Sequence, residues 1–232
     1  GDIIQNGTVL IEGQNSYGIR LDAQVVGDID SDQSSLISVV GANGTAIAIN
    51  QGVDGDVTLQ SAVTARGENS VGLLVAGDIT GALNIGGTWT VSGYNSLVRP
   101  LTEEAINALD PDDLLQSGSA IHVRGSVGEG ITIVGIGVED DEDDDGDGDD
   151  EDTDDNFSAT IRTYGGSPAL FIESDASAIA LGATASGYGL HVRGQIEAAG
   201  VYEGVDATAI RLEGAAGAGV TTAGGIAIDN IV

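Results

Sequence analysis

The sequence contains no cysteine, no methionine and no lysine, and only two histidines and three prolines. Without cysteine, the chain can form no disulfide bond, no zinc–thiolate site and no thiol nucleophile. Its seven basic residues, all arginine, stand against 37 acidic ones, and the formal net charge of −30 argues against binding to nucleic acid or anionic lipid. No apolar run is long enough to span a membrane, and no stretch has the pattern of a signal peptide.

Glycine is abundant instead, and it marks a repeat. There are 37 glycines in 232 residues, about twice the usual share of ~7 %. A Gly-x-Asn-Ser/Gly motif begins at positions 13, 41, 67 and 93, in steps of 28, 26 and 26, and a Gly-Asp-Ile/Val motif begins at positions 1, 27, 55 and 77. Two turn motifs that share one period indicate a repeat architecture. The asparagines of the first motif are predicted to stack and to hydrogen-bond to one another. They are Asn15, Asn43, Asn69 and Asn95.

Short stretches of alternating apolar and polar residues lie between the turns, as expected for half-buried strands. One kind recurs as Ile19-Arg20-Leu21 and Ile47-Ala48-Ile49, a second as Val57-Thr58-Leu59, and a third as Leu36-Ile37-Ser38-Val39. Three short strands per period predict a solenoid in which each coil stacks on the one before it. Inward Ile, Leu, Val and Ala side chains would fill a narrow tube, for which most aromatic side chains are too large.

We therefore predict an all-β fold, a right-handed parallel β-helix (β-solenoid) of about seven or eight coils, with a short helical insertion and an acidic loop insertion. A β-sandwich is the alternative, but a sandwich has no reason to keep a 26-residue period. Residues 1–232 are expected to be a single solenoid segment of a longer chain, cut in mid-repeat at both ends. Triplets at Leu170, Leu190 and Ile210 are 20 residues apart, which predicts shorter coils near the end.

The predicted helical insertion covers residues 97–117. Thr102 is expected to cap a short helix that runs to Leu109, and Asp110 followed by Pro111 is expected to start a second helical turn. The favoured interpretation is that the insertion packs its apolar side chains on the outer face of the tube. These are Ile106, Leu109, Leu114 and Leu115. The alternative is a protruding element that contacts a partner.

The second predicted insertion, residues 139–156, is strongly acidic. Of the 17 residues from Glu139 to Asp155, 14 are acidic, and without them the net charge would be −16 (−30 + 14). The pattern Asp-x-Asp-x-Asp-Gly matches the first half of a calcium loop, although no flanking helices make it an EF-hand. The predicted calcium ligands are Asp143, Asp145, Asp147, Asp149, Glu151 and Asp154. The alternative is a solvated polyanion without a bound ion.

The two histidines were the remaining candidates for chemistry. His122 and His191 occupy the same place in two similar stretches, Ile-His-Val-Arg-Gly and Leu-His-Val-Arg-Gly. This predicts equivalent outward positions two coils apart, roughly 9–10 Å, too far for one metal ion or one proton relay. Both are interpreted as ordinary surface residues, and no catalytic or cofactor-binding residue is predicted. The sequence also lacks Gly-x-Ser-x-Gly, phosphate-loop and dinucleotide motifs.

Three stretches resemble passenger regions of autotransporter-like (type V secreted) outer-membrane proteins. They are residues 99–116 followed by the Asp-Gly-rich segment, Thr163-Tyr-Gly-Gly-Ser-Pro-Ala169, and Gly200-Val-Tyr-Glu-Gly-Val-Asp-Ala207. The resemblance implies a β-solenoid displayed on a Gram-negative cell surface. It also implies anchoring in the outer membrane through a C-terminal β-barrel that is not part of this segment. It supplies no catalytic residues.

The resulting functional hypothesis is a non-enzymatic cell-surface stalk or adhesin that contributes to adhesion, matrix or fibre formation. Expected partners are other surface or matrix components or further copies of the chain, with neither nucleic-acid binding nor direct membrane insertion. One alternative is a self-assembling extracellular filament or surface-layer subunit, because uncapped coil ends expose sheet edges that can pair end to end. The other is a polysaccharide-active enzyme that depends on calcium.

Overall fold

The structure is a computed structural model that describes residues 1–93, 97–98, 100–135, 158–215 and 217–229. Almost all of its regular structure is β-strand. In chain order the strands are β1 (Ile3–Gln5), β2 (Thr8–Glu12), β3 (Tyr17–Leu21), β4 (Val25–Val26), β5 (Ile29–Ser31), β6 (Leu36–Val40), β7 (Thr45–Ile49), β8 (Val53–Asp54), β9 (Val57–Leu59), β10 (Ala62–Arg66), β11 (Val71–Val75), β12 (Leu83–Ile85), β13 (Thr88–Ser92), β14 (Ile121–Val123), β15 (Ile131–Ile133), β16 (Thr160–Tyr164), β17 (Leu170–Ser174), β18 (Ile179–Leu181), β19 (Leu190–Val192), β20 (Gln195–Ala199), β21 (Ile210–Gly214), β22 (Val220–Thr222) and β23 (Ile226–Ile228).

These strands form three long parallel sheets. Sheet 1 has the order β1-β5-β9-β12-β15-β19-β23, sheet 2 the order β2-β6-β10-β13-β16-β20, and sheet 3 the order β3-β7-β11-β14-β17-β21. The chain visits the sheets in turn, and each strand pairs in parallel with the strand one circuit earlier. Ala62 of β10, for example, pairs with Leu36 of β6, 26 positions before it. The predicted all-β character and parallel pairing are confirmed, and the arrangement is compatible with a β-solenoid.

A fourth side closes each circuit, and the prediction of three strands per coil is wrong on this point. β4 pairs with β8, and β18 pairs with β22. Isolated parallel bridges join Val53 to Ile79, Ile79 to Val127, and Val127 to Leu181, so one ladder runs along this side from β4 to β22. Each contribution is so short that the sequence showed only a turn.

The Gly-x-Asn turns stack as predicted. Asn15, Asn43 and Asn69 all have φ near 55°, a left-handed conformation that asparagine tolerates. The Asn43 amide donates to Asn15 Oδ1 at 3.3 Å, and the Asn69 amide donates to Asn43 Oδ1 at 3.4 Å. Gly41 and Gly67 leave no room for a side chain, because a Cβ there would collide with the carbonyl of the matching glycine one circuit earlier. Asn95 lies outside the described residues.

The Gly-Asp turns are joined by a ladder that the sequence did not reveal. The carboxylate of Asp2 accepts a hydrogen bond from the backbone N–H of Asp28, one circuit later, at 3.1 Å. Asp28 accepts in the same way from Asp56, and Asp56 from Ala82, each at 2.8 Å. These aspartates therefore satisfy backbone donors between coils, which explains why the turn uses aspartate.

The core is a stack of inward-facing aliphatic side chains, and Trp89 is the exception among them. Its ring is fully buried in β13, although aromatic side chains were expected to be mostly too large for the tube. Gly72 of β11 makes the room, since a Cβ there would lie 3.3 Å from the indole ring. The Trp89 Nε1–H donates to the Gly86 carbonyl at 2.7 Å, so its one polar group is satisfied.

The predicted shortening of the late coils is wrong. Leu190 belongs to β19 of sheet 1, where it pairs with Ile131, whereas Leu170 and Ile210 pair with each other in sheet 3. The circuit from Leu170 to Ile210 is therefore 40 residues long, not 20. The strand that follows β17, β18, pairs with β22 and lies on the fourth side.

A short helix, α1 (Glu103–Asn107), and a 3₁₀ turn (Pro111–Leu114) lie between β13 and β14. The Thr102 hydroxyl accepts from the Ala105 N–H at 3.2 Å, which is the N-cap role predicted for it. The expected packing of four apolar side chains is only partly seen. Ile106 and Leu114 are 44 % and 50 % exposed, whereas Leu109 and Leu115 are half-buried.

Candidate functional site

All six predicted calcium ligands lie outside the described residues. These are Asp143, Asp145, Asp147, Asp149, Glu151 and Asp154. In the ranges that the structure describes, no group of three or more histidine, aspartate or glutamate side chains is placed to hold a metal ion. The calcium loop therefore stays a prediction from the sequence.

The two histidines lie on different faces, so their predicted equivalence is wrong. His122 is in β14 of sheet 3, and His191 is in β19 of sheet 1. Their matching neighbours misled the prediction, because the apolar–polar–apolar triplet is common to both sheets.

His122 belongs to a polar cluster on sheet 3. Its Nε2 lies 2.9 Å from Glu173 Oε2, and its ring stacks on Phe171 of the next strand with centroids 4.7 Å apart. Arg124 pairs with Asp175 at 2.5 Å and approaches Glu173 at 3.7 Å. Burial lowers the pKa of His122 below its ordinary value of 6.5, outweighing the opposite effect of Glu173. The neutral imidazole is therefore favoured, and the cluster links neighbouring coils.

His191 lies at the centre of a hydrogen-bonded chain that the sequence did not predict. Its Nδ1 is 2.7 Å from the Ser186 hydroxyl, and its Nε2 is 2.6 Å from Asp229 Oδ2. Thr184 Oγ1 lies 2.9 Å from Ser186 Oγ and extends the chain. Serine, histidine and aspartate in this order are the groups of a nucleophilic triad.

This hydrogen-bonded arrangement differs from a working catalytic triad in two features. The Asp229 side chain is 63 % exposed, whereas an orienting carboxylate acts from a buried position. The Gly187 N–H, next to the serine, already donates to the Thr184 carbonyl at 2.8 Å and is not free to stabilise an oxyanion. Through His191, these hydrogen bonds instead connect the turn at Ser186 with Asp229, the residue that follows β23.

A groove crosses the outer face of sheet 2. Hydroxyl side chains occupy the same register position on three neighbouring strands, Ser38 of β6, Thr64 of β10 and Thr90 of β13. The Thr64 hydroxyl donates to Ser38 Oγ at 2.9 Å, which aligns the row along the stacking direction. The groove has a volume of about 410 Å³, and Leu97 forms part of its lining. We call these residues, with Arg66 and Ser92, the sheet 2 groove.

Arg66 is the charged residue of the sheet 2 groove. It lies at the register position between Val40 and Ser92. Most other described arginines contact a carboxylate at 2.5 to 2.9 Å. These pairs are Arg20–Asp22, Arg124–Asp175, Arg162–Glu197 and Arg211–Glu213. Across the described ranges, the Arg66 guanidinium has neither an ion pair nor a hydrogen bond, although the chain is strongly acidic.

The row of hydroxyls in this groove has a pattern that is visible in the sequence. Ser38, Thr64 and Thr90 are each 26 positions apart, which is the step of the glycine motif. Every hydroxyl stands between two apolar residues and so points outward. Only the pairing of β6, β10 and β13 shows that the three form one row.

No known protein family, curated protein or solved structure matches this chain. Within the described ranges, no helix has the length and apolar character that crossing a lipid bilayer requires. The function is therefore inferred from the residues of the chain itself.

Proposed function

We propose that the chain is part of a bacterial cell-surface stalk or adhesin, built as a right-handed parallel β-helix, that acts through its faces rather than through catalysis. The observation that carries this proposal is the set of parallel sheets, in which strands from successive circuits stack in register. Such a stack buries a continuous core and leaves long, regular faces for contact. Residues 97–117 and 139–156 interrupt this regularity and are assigned to insertions.

The stack has the dimensions of a rigid spacer. Sheet 1 contains seven strands, so six interstrand steps of about 4.8 Å give a length of about 29 Å. Ladders of asparagine and aspartate side chains join the turns between coils and reinforce the backbone pairing. A stalk that holds a contact surface away from the cell needs this kind of stiffness along its axis.

Surface display is supported by the resemblance to autotransporter passenger regions and by the composition. A chain without cysteine crosses an oxidising compartment without forming wrong disulfides. Millimolar calcium outside the cell would suit the acidic segment at 139–155, since extracellular modules bind calcium at about 10⁻⁴–10⁻³ M. Anchoring in the outer membrane through another part of the protein belongs to the same proposal.

Immunogold electron microscopy of whole, unpermeabilised cells tests the proposal. Antibodies raised against the folded chain should label the outside of the cells, and Fab fragments of these antibodies should reduce cell–cell or cell–matrix contact. Labelling that needs lysed cells would refute surface display. Regular fibres or a lattice of label would instead support the filament or surface-layer alternative.

The enzyme alternative has its own test. The purified chain is incubated with acidic polysaccharides and calcium, and the release of unsaturated sugars is followed by ultraviolet absorbance. We expect no release, because Asp229 of the Ser186–His191–Asp229 group is 63 % exposed and the sequence of the acidic segment 139–155 contains no arginine. Sustained release of unsaturated sugars would replace the stalk proposal with a lyase.

A further inference from the structure

The sheet 2 groove combines aligned hydroxyls with the Arg66 guanidinium, which forms no ion pair or hydrogen bond with the residues that the structure describes. Ser38, Thr64 and Thr90 follow one another at the interstrand spacing of about 4.8 Å. Arg66 and Ser92 add a second polar row beside the first. A hydroxyl both donates and accepts, and a guanidinium only donates, in a fork that matches a carboxylate.

The charge around the groove is unusual for this chain. Of 37 acidic residues, none lies in β6, β10, β13 or β16, four neighbouring strands of sheet 2. These strands carry two arginines, Arg66 on β10 and Arg162 on β16, and Arg162 pairs with Thr90 of β13. The nearest strand-borne acids of the sheet are Glu12 on β2 and Glu197 on β20, and Glu197 is already paired with Arg162. These four strands themselves therefore carry no carboxylate that would repel an anion.

We propose that the sheet 2 groove binds a linear acidic glycan, a polymer of uronic acid units, lying along the stacking direction. The Arg66 guanidinium binds a carboxylate of the glycan, and the hydroxyls of Ser38, Thr64 and Thr90 exchange hydrogen bonds with its ring hydroxyls. Leu97, which is 48 % exposed at the side of the groove, contacts an apolar face of one sugar ring. This inference rests on the proposed adhesin function and names the class of ligand that the surface would hold.

The net charge of −30 does not prevent such binding. Fourteen of the acids lie in the segment 139–155, and exposed charges farther apart than about 8 Å are largely screened at physiological salt. Binding is therefore set by the groups that line the groove. Long-range repulsion slows association of a polyanion more than it weakens a close guanidinium–carboxylate contact.

Calorimetric titration with oligogalacturonate tests the proposal, with its methyl ester as the uncharged probe. Both titrations contain EDTA, so that calcium cannot bridge the polyanion to residues 139–155. We expect oligogalacturonate to bind and the methyl ester to bind about tenfold more weakly. The Arg66→Ala variant should lose about tenfold in affinity for the acid and almost none for the ester, as expected for loss of a charge-assisted contact.

Arg20→Ala is the matched control, because it changes the net charge by the same amount on sheet 3 and leaves the groove intact. It should bind oligogalacturonate like the unmodified chain. Equal losses in Arg66→Ala and Arg20→Ala, equal binding of acid and ester, or no binding of either probe would each overturn the proposal. Surface labelling and Fab inhibition do not depend on this titration. A negative titration would therefore leave the proposed surface function untouched, and negative labelling would leave the binding chemistry of the groove untouched.

Discussion

Replacing Trp89 by alanine should destabilise the fold more than any single change on its outer faces. The indole is fully buried in β13, packs over Gly72 and donates to the Gly86 carbonyl at 2.7 Å. Alanine removes the ring, opens a cavity that the neighbouring coils cannot fill, and leaves the buried carbonyl without its donor. The substitution changes one site, but the lost packing is expected to destabilise the coils on both sides of it.

The size of this effect follows from the buried ring. A tryptophan buries about 150–250 Å² of surface, which at about 25 cal/mol per Å² corresponds to about 4–6 kcal/mol. Substitutions of this kind cost about 3–5 kcal/mol in other cores. We expect a loss of about 4 kcal/mol in the free energy of unfolding. The Trp89→Phe variant keeps a ring but loses the N–H donor, and should lose about 1–2 kcal/mol.

Urea unfolding followed by circular dichroism measures these losses, since the alanine variant has no indole to follow by fluorescence. With a urea m-value near 3 kcal/mol/M, the alanine variant should unfold at about 1.3 M less urea than the unmodified chain. Trp89 is the only tryptophan, so its fluorescence in the unmodified chain reports the same transition. Solenoids can unfold in stages, and coincidence of the two signals checks that one transition is being compared.

A small effect would refute this reasoning. If Trp89→Ala unfolds within about 0.3 M urea of the unmodified chain, the ring is not part of a close-packed core. Equal losses for Trp89→Phe and Trp89→Ala would show that the hydrogen bond, rather than the volume of the ring, determines the stability, because both variants lack the N–H donor. Either result would mean that the tube tolerates variation in side-chain size at this coil.

Three further predictions concern charge and chemistry. The pKa of His122 is lowered in the folded chain, so the unfolded chain takes up a proton first and stability falls as the pH drops below about 6.5. The difference in melting temperature between the unmodified chain and a His122→Gln variant should therefore change between pH 7.5 and 5, and a constant difference would contradict this. Calcium titrated by calorimetry should give heats that an Asp145→Ala, Asp147→Ala variant lacks, whereas equal, weak and salt-sensitive heats would indicate a solvated polyanion. A fluorophosphonate probe should not label Ser186, because the neighbouring Gly187 N–H already donates to the Thr184 carbonyl; labelling that disappears in His191→Ala would reveal a working nucleophile.

The turns were the most predictable part of the fold. A stacked turn requires a left-handed residue and a residue without a side chain at fixed places. Asparagine and glycine therefore recur with the period of the coil, as at Asn43 and Gly41. The prediction of parallel strands, stacked asparagines and the Thr102 cap all followed from such local requirements. Local chemistry of this kind is visible in a single sequence.

Assignment of a strand to a particular face was less predictable. An apolar–polar–apolar triplet indicates only that its outer residues point inward, and it fits sheet 1 as well as sheet 3. His191 was therefore placed on the wrong face, and its contact with Asp229, 38 positions away, could not be foreseen. The sheet 2 groove was missed for the same reason, since the row from Ser38 to Thr90 exists only through pairing between coils.

The aspartate ladder of the Gly-Asp turns gives the stack a direction. In every rung the carboxylate belongs to the earlier coil and the N–H to the later one, from Asp2 and Asp28 through to Asp78 and Ser126. The two rims of a coil are thus chemically unlike, one offering anionic acceptors and the other amide donors. Each coil therefore presents its ladder carboxylate toward the coil that follows it in the chain. A coil turned end for end would place carboxylate against carboxylate, so this ladder favours stacking in one direction only.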